Sequence, residues 1–140
     1  MKAKLIGRTS VRDNIKLSGN PSYPVFRELY EKQKKAIWFP EELNIQQDAL
    51  DYHNLSPDEK DLFDTAVGYF CSSELLVQNV LVNAFFPLLT DPHAKMSFST
   101  QLFMENIHSD FFESVLQSFG MDHKAMYDVA FSDPFLRKKQ

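Results

Sequence analysis

A long helical segment with polar side chains inside its apolar stripe constrains the fold of this chain more than any other feature. It is predicted over residues 92–119, because Asp91 suits an N-cap, Pro92 the first helical position and Gly120 the stop. Apolar residues recur along it at helical spacing, and four polar residues interrupt them: Gln101, Glu105, His108 and Ser109. A buried carboxylate costs several kcal/mol unless it is paired or bound to a metal, so the interruption indicates a shared cause such as a metal ion.

A second predicted helix supplies a carboxylate that matches this pattern. It is predicted over residues 57–88 and opens with a capping box, in which Ser56 is the cap and Glu59 its partner. Glu74 is the only Asp, Glu, Lys, Arg or His within residues 65–90. The second helix thus carries a lone acid, and the antiparallel helix carries a glutamate three residues before a histidine. Together these residues form half of a carboxylate-bridged dinuclear metal site.

The candidate metal ligands are therefore Glu74, Glu105 and His108. The spacing of Glu105 and His108 alone is weak evidence, because such pairs occur by chance in many helices and are usually solvated. Glu74 makes the pattern more specific, and mixed oxygen and nitrogen ligands suit iron and manganese without separating them. The other histidines have no glutamate three residues before them, and we interpret them as surface or capping residues: His53, His93 and His123.

The composition supports an all-α fold and argues against several classes of function. The 140 residues suit one domain, and 13 Phe with only 4 Gly fit thick, buried helices. A net charge of −4 argues against nucleic-acid binding through a basic surface. The single cysteine, Cys71, excludes an internal disulfide framework and suits a reducing cytoplasm. We interpret Cys71 as a core packing residue rather than as a thiolate ligand.

The chain divides into a short arm and a helical domain. Residues 1–20 are polar and basic without apolar periodicity, so we expect an extended or partly disordered arm there. The apolar run at residues 75–89 is too short for a membrane span, and the start lacks a signal-like pattern. Residues 21–140 form the helical domain, in which three further helical stretches are predicted: 23–36, 46–52 and 122–131.

Several motifs surround the candidate ligands in a characteristic order. They are Trp38-Phe39-Pro40-Glu41-Glu42, the capped start at residues 55–60, Glu105-Asn106-Ile107-His108-Ser109 and Asp133-Pro134-Phe135-Leu136-Arg137. In this order they resemble the N-terminal half of the small, radical-generating subunit of class I ribonucleotide reductase, over about residues 20–140. The resemblance implies half of a ferritin-like helical bundle in a cytoplasmic enzyme of deoxyribonucleotide biosynthesis, which supplies DNA replication.

The resemblance also implies a role for each candidate residue. Glu74 would be a terminal ligand, Glu105 a bridging ligand and His108 a ligand of the first metal. The dinuclear centre, manganese/iron or di-iron, would react with O2 to make the oxidant for reduction of ribonucleotides to deoxyribonucleotides. Trp38 would carry electrons to and from the centre, although a large aromatic residue could also serve there only as a structural anchor.

Phe112 occupies the position of the family's usual radical tyrosine, four residues after His108. Phenylalanine has no hydroxyl and cannot form a tyrosyl radical. Most tyrosyl-radical members also carry aspartate at the position of Glu74. Both features resemble the manganese/iron subclass, which stores its oxidising equivalent on the metals.

The resemblance implies partners, because a second ligand set does not occur in this sequence. We expect a second chain that carries the C-terminal half of the small subunit, a dimer of the completed subunit, and the catalytic large subunit of ribonucleoside-diphosphate reductase. A naturally split gene is favoured over a truncated fragment. Two alternatives stay open: a ferritin-like manganese/iron oxidase that binds a small molecule or fatty acid, and a non-catalytic assembly partner.

Overall fold

Five α-helices make up most of the part of the chain that the structure describes. The structure is a computed structural model, and it describes Leu17, residues 23–132, Pro134 and Lys138. The predicted arm at residues 1–20 therefore lies, apart from Leu17, outside the described residues. The helices are α1 (Pro24–Lys35), α2 (Ile45–His53), α3 (Pro57–Val80), α4 (Pro92–Phe119) and α5 (His123–Ser132). This confirms the predicted all-α class, and each predicted helix is present.

Helix α4 begins and ends where its capping residues predict. The Asp91 carboxylate oxygen Oδ1 accepts hydrogen bonds from the backbone N–H groups of His93 and Ala94, at 2.9 and 3.1 Å. At the other end, Gly120 has a φ of +66°, which favours glycine. The backbone N–H of Met121 donates to the Leu116 carbonyl at 3.0 Å, which completes a Schellman motif. Local side-chain chemistry thus fixes the length of the helix that carries two of the candidate ligands.

Helix α3 begins as predicted but ends earlier. The Glu59 carboxylate accepts hydrogen bonds from the backbone N–H and the hydroxyl of Ser56, at 2.8 and 2.7 Å. The helical stretch predicted over residues 57–88 is present, but it is α-helical only as far as Val80, because a π-helical turn at Leu81–Phe85 and a 3-10 turn at Phe86–Leu88 follow. Pro87 explains this change, since it has no N–H to donate and its ring would collide with the carbonyl four residues earlier.

The described residues form two compact units, and α3 and α4 each run through both. The first unit contains residues 23–37 and 78–105. Its aromatic packing centres on Phe98, whose ring lies 6.0 Å from that of Phe26 and 5.6 Å from that of Phe85. Among the described residues, no helix is both long and apolar enough to span a lipid bilayer.

The second unit contains residues 38–77 and the described residues from 106 onwards. Helices α3 and α5 approach closely in this unit at Gly68, where a Cβ atom would lie 2.7 Å from the Val129 Cβ and 2.8 Å from the Met126 carbonyl oxygen. The core of the unit is made of small and apolar side chains on α2, α3 and α4: Ala49, Val67, Cys71, Val115, Leu116 and Phe119.

Candidate metal centre

The structure brings the three predicted ligands, Glu74, Glu105 and His108, into one group. Each offers a ligand atom, and these atoms lie within 4.8 Å of one another. The spacing on α4 explains part of this arrangement, because residues three apart share one face of a helix. The Nδ1 atom of His108 lies 3.5 Å from the Glu74 carboxylate oxygen Oε2. Two carboxylates and one imidazole can therefore bind one cation together.

Burial makes this group unusual for acidic side chains. Glu105 is only 9% exposed, and the side chain of Glu74 is 14% exposed. Carboxylates are rarely buried unless they are paired or coordinate a metal. The His108 side chain is 32% exposed, so the group remains accessible from one side. These donors fit iron or manganese, which accept carboxylate and imidazole ligands.

Two glutamines hold Glu105 in place. The Gln101 side-chain amide donates a hydrogen bond to the Glu105 oxygen Oε1 at 3.4 Å. The Gln78 side-chain amide donates to the Glu105 backbone carbonyl at 3.2 Å. Sequence reasoning noted Gln101 as an interruption of the apolar stripe but gave it no role. Gln101 lies one helical turn before Glu105, and this spacing could have predicted a contact between the two side chains.

Trp38 lies directly beside the imidazole of His108. The two rings stack at a centroid distance of 6.0 Å and an interplanar angle of 24°. The edge of a third ring, that of Phe111, meets Trp38 at 5.6 Å and 84°. The ring stacked on His108 is thus that of Trp38, the residue that the sequence motif indicated. The electron-transfer role of Trp38 stays a prediction.

An apolar ring occupies the position four residues after His108. Phe112 stacks on Phe70 at 5.5 Å with an interplanar angle of 8°, and it meets Phe111 edge-on at 5.3 Å. This pair of stacked rings joins α3 to α4 within the second unit. The side chain at this position therefore contributes packing and carries no hydroxyl.

Cys71 lies in the core of the second unit and not in the ligand group. It is only 2% exposed, and burial raises the pKa of its thiol to about 11. A thiol with such a pKa stays protonated at neutral pH, whereas metal binding requires the thiolate. The interpretation of Cys71 as a packing residue agrees with this position.

The histidines outside the group divide into two exposed residues and one buried residue. His53 lies exposed at the end of α2, and His123 contacts Glu113, with Nδ1 and Oε1 3.2 Å apart. His93 was interpreted as a surface or capping residue, and the surface interpretation is wrong, because it lies in the first turn of α4 and is only 6% exposed. The reason is the buried cap: Asp91 is 1% exposed and draws the first turn of α4 inward with it.

Comparison with known proteins identifies a matching family. The family model described as "Ribonucleotide reductase, small chain" matches residues 19–140. The ribonucleoside-diphosphate reductase subunit M2 of Mesocricetus auratus is 25% identical, over 99% of this chain and 39% of its own length. The ribonucleoside-diphosphate reductase small chain 2 of Saccharomyces cerevisiae is 30% identical, over 68% of this chain and 28% of its own length.

Solved structures show the same fold. The ribonucleotide reductase Rnr4 homodimer from Saccharomyces cerevisiae matches with a TM-score of 0.74 and 24% identity, over 88% of this chain and 40% of that chain. The ribonucleotide reductase R2 subunit from Clostridium botulinum matches with a TM-score of 0.72 and 20% identity, over 84% of this chain and 38% of that chain. The fold is therefore that of ferritin-like helical proteins, and the chain spans about two fifths or less of each of these four relatives.

Proposed function

We propose a function from the premise that this chain belongs to the ribonucleotide reductase small-chain family. The chain supplies part of a dinuclear metal centre in the small subunit of a ribonucleoside-diphosphate reductase. The single observation that carries the proposal is the group of Glu74, Glu105 and His108, whose ligand atoms lie within 4.8 Å of one another and whose two carboxylates are largely buried. When bound, the metal pair supplies reaction with O2 and one-electron oxidation for ribonucleotide reduction.

Each proposed residue has a different role at the metal centre. Glu74 would hold the first metal as a terminal ligand, and Glu105 would serve as the ligand shared by the two metals. His108 would bind through Nδ1, the ring nitrogen that lies near Glu74. The stacked ring of Trp38 orients the imidazole and offers a path for an electron to and from the site.

We propose that the centre takes manganese and iron rather than two irons. The support is Phe112, which has no phenolic proton to lose and packs flat against Phe70. Neither of these rings is easily oxidised, so the position offers no side chain that could take the oxidising equivalent from the metals. Ligand chemistry alone is compatible with either metal pair.

We propose further that other protein segments complete the centre. Three side chains leave several coordination positions of two metal ions to other donors, and a four-helix site of this type has a second glutamate and glutamate–histidine set. The proposed partners are a second chain with the C-terminal half of the small subunit, a further copy of the completed subunit, and the catalytic large subunit.

The proposal is tested by metal content. The chain is mixed with a chain that carries the second ligand set, loaded without oxygen with iron, manganese or both, and then exposed to O2. We expect about two metal ions per completed pair, together with a manganese/iron electron paramagnetic resonance signal and no tyrosyl radical. A mixture that stays free of metal would support the alternative of a non-catalytic assembly partner.

A pair of alanine variants on α4 tests the ligand assignment. Glu105→Ala should abolish metal binding while helix content in circular dichroism is retained. Glu113→Ala is the matched control, because Glu113 lies on the same helix with its side chain 40% exposed and contacts His123 instead. Equal metal content in both variants would rule out Glu105 as a ligand.

A further inference from the structure

A cavity in the second unit lies apart from the three proposed metal ligands. It has a volume of about 300 Å³. Helices α2, α3 and α4 contribute to its walls, and its lining consists of Ile45, Asp48, Asp51, Tyr52, Leu55, Phe63, Phe111, Val115 and Phe119. Cavities of this size lie at the lower end of the range for small-molecule sites.

Aromatic rings that support one another form much of the wall. Tyr52 lies 5.4 Å from Phe63 and 5.3 Å from Phe119, and the rings of Phe63 and Phe119 stack at 5.5 Å. The Tyr52 hydroxyl donates a hydrogen bond to the Asp64 oxygen Oδ1 at 2.9 Å, which fixes the ring further. A wall built from packed core rings is preformed, so a ligand does not have to order it.

The charged residues that line the cavity carry the same sign. Asp48 and Asp51 are exposed residues three positions apart on α2, so they share a face of that helix. Asp51 accepts a hydrogen bond from the side-chain amide of Gln47 at 3.1 Å, whereas no described lining residue is a lysine, arginine or histidine. The two lining carboxylates therefore favour a cation over an anion at the cavity.

The aromatic wall already attracts one cation of the protein itself. The Lys60 ammonium nitrogen lies 5.4 Å from the centroid of the Tyr52 ring while it donates a hydrogen bond to the His53 carbonyl at 3.1 Å. Ammonium groups within about 6 Å of an aromatic centroid are attracted by the negative face of the ring. The same physical attraction is available to a ligand inside the cavity.

We propose that this cavity binds a small organic cation with an ammonium group on an apolar body. The apolar body displaces water from the rings of Phe63, Phe111 and Phe119, while the ammonium group interacts with the rings and with the carboxylates of Asp48 and Asp51. A bare metal ion does not fit, because aromatic walls cannot replace its hydration shell. A neutral apolar molecule would contact the rings but would gain nothing from the carboxylates.

The single tryptophan of the chain reports on this site. Trp38 meets the edge of Phe111 at 5.6 Å, and Phe111 is part of the cavity wall. A ligand that contacts Phe111 changes the polarity beside the indole and hence its fluorescence. The measurement uses the metal-free chain, so its outcome does not depend on whether the metal centre forms.

The test is a titration of the metal-free chain with 2-phenylethylamine, protonated at neutral pH, and with the neutral 2-phenylethanol. Binding is followed by Trp38 fluorescence and by calorimetry. We expect saturable binding of the amine at least about tenfold tighter than that of the alcohol, and a loss of this difference at high salt. Equal affinities, or fluorescence changes without saturation, would overturn the proposal.

Two double variants of equal charge separate the site from the general charge of the protein. Asp48→Asn with Asp51→Asn should weaken amine binding about fivefold or more and leave the alcohol unaffected. Asp58→Asn with Asp61→Asn is the matched control, because these exposed acids lie at the start of α3 outside the cavity lining. The same loss in both double variants would show non-specific attraction and would contradict a built site.

Discussion

At the scale of single residues, the candidate centre depends on how a buried carboxylate is held. Glu105 is 9% exposed, and the amide of Gln101 donates to one of its two oxygens. An amide donor stabilises a carboxylate in one orientation without neutralising its charge, so the acid keeps its attraction for a cation. Groups that orient a ligand in this way are typically important for metal affinity.

Replacing Gln101 should weaken metal binding without removing any ligand. In Gln101→Leu the Glu105 carboxylate loses the hydrogen bond from Gln101, and we expect affinity for Mn²⁺ to fall about tenfold in the completed complex. The matched control is Gln117→Leu, since Gln117 donates to Glu113 at 3.3 Å on the same helix. Affinity is measured by titration followed by electron paramagnetic resonance. If both variants bind Mn²⁺ equally well, Gln101 does not position Glu105.

At the scale of helices, local signals explain which boundaries could be predicted. Asp91, Gly120 and the Ser56–Glu59 box each satisfy backbone groups within a few residues, so the sequence alone located both ends of α4 and the start of α3. The change from α-helix to a π turn at Leu81 was not predicted, because Pro87 is the only residue in the sequence that indicates it. The burial of His93 was missed because it depends on packing around the first turn of α4.

The crossing of α3 and α5 gives a prediction at this scale. Gly68→Ala gains helix propensity of about 1 kcal/mol. The new Cβ would nevertheless lie 2.8 Å from the Met126 carbonyl oxygen, which is backbone and cannot rotate away. We expect a net loss of roughly 1–3 kcal/mol in the free energy of unfolding, as for other overpacked cores. Urea unfolding measures this loss.

Ala66→Gly, at an exposed position of the same helix, measures the propensity contribution separately. It should destabilise by about 1 kcal/mol. Gly68→Ala adds a methyl group and Ala66→Gly removes one, yet both should lower the free energy of unfolding. A Gly68→Ala chain as stable as the unmodified chain would show that α5 moves away at little cost.

At the scale of the whole molecule, the candidate site could be predicted only in part. Glu74, Glu105 and His108 were identified because each interrupts an apolar helix, and burial of charge requires an explanation that sequence patterns can reveal. The contact between Trp38 and His108 joins residues 70 positions apart, and only the family resemblance indicated it. The aromatic cavity had no sequence signal, because its walls come from three helices whose packing no short motif encodes.

Buried titrating groups make the stability of the fold sensitive to alkali. Burial is the largest cause of the raised pKa values of Cys71, Tyr52 and Tyr127, and for Cys71 the pKa rises from 9.0 to about 11. A group with a raised pKa keeps its proton in the folded chain while the unfolded chain releases it. The folded state is therefore favoured fully below pH 9, and this contribution is lost as the pH rises towards 11.

The urea midpoint should therefore fall as the pH rises from 9 to 11, and Cys71 should account for part of that slope. Cys71→Ala removes the thiol, so we expect a lower midpoint at pH 7 from the lost packing but a shallower decline above pH 9. Tyr127→Phe should flatten the decline only at higher pH, because the ordinary pKa of tyrosine is 10.0. Parallel declines in the unmodified chain and Cys71→Ala would mean that the thiol ionises equally in the folded and unfolded states.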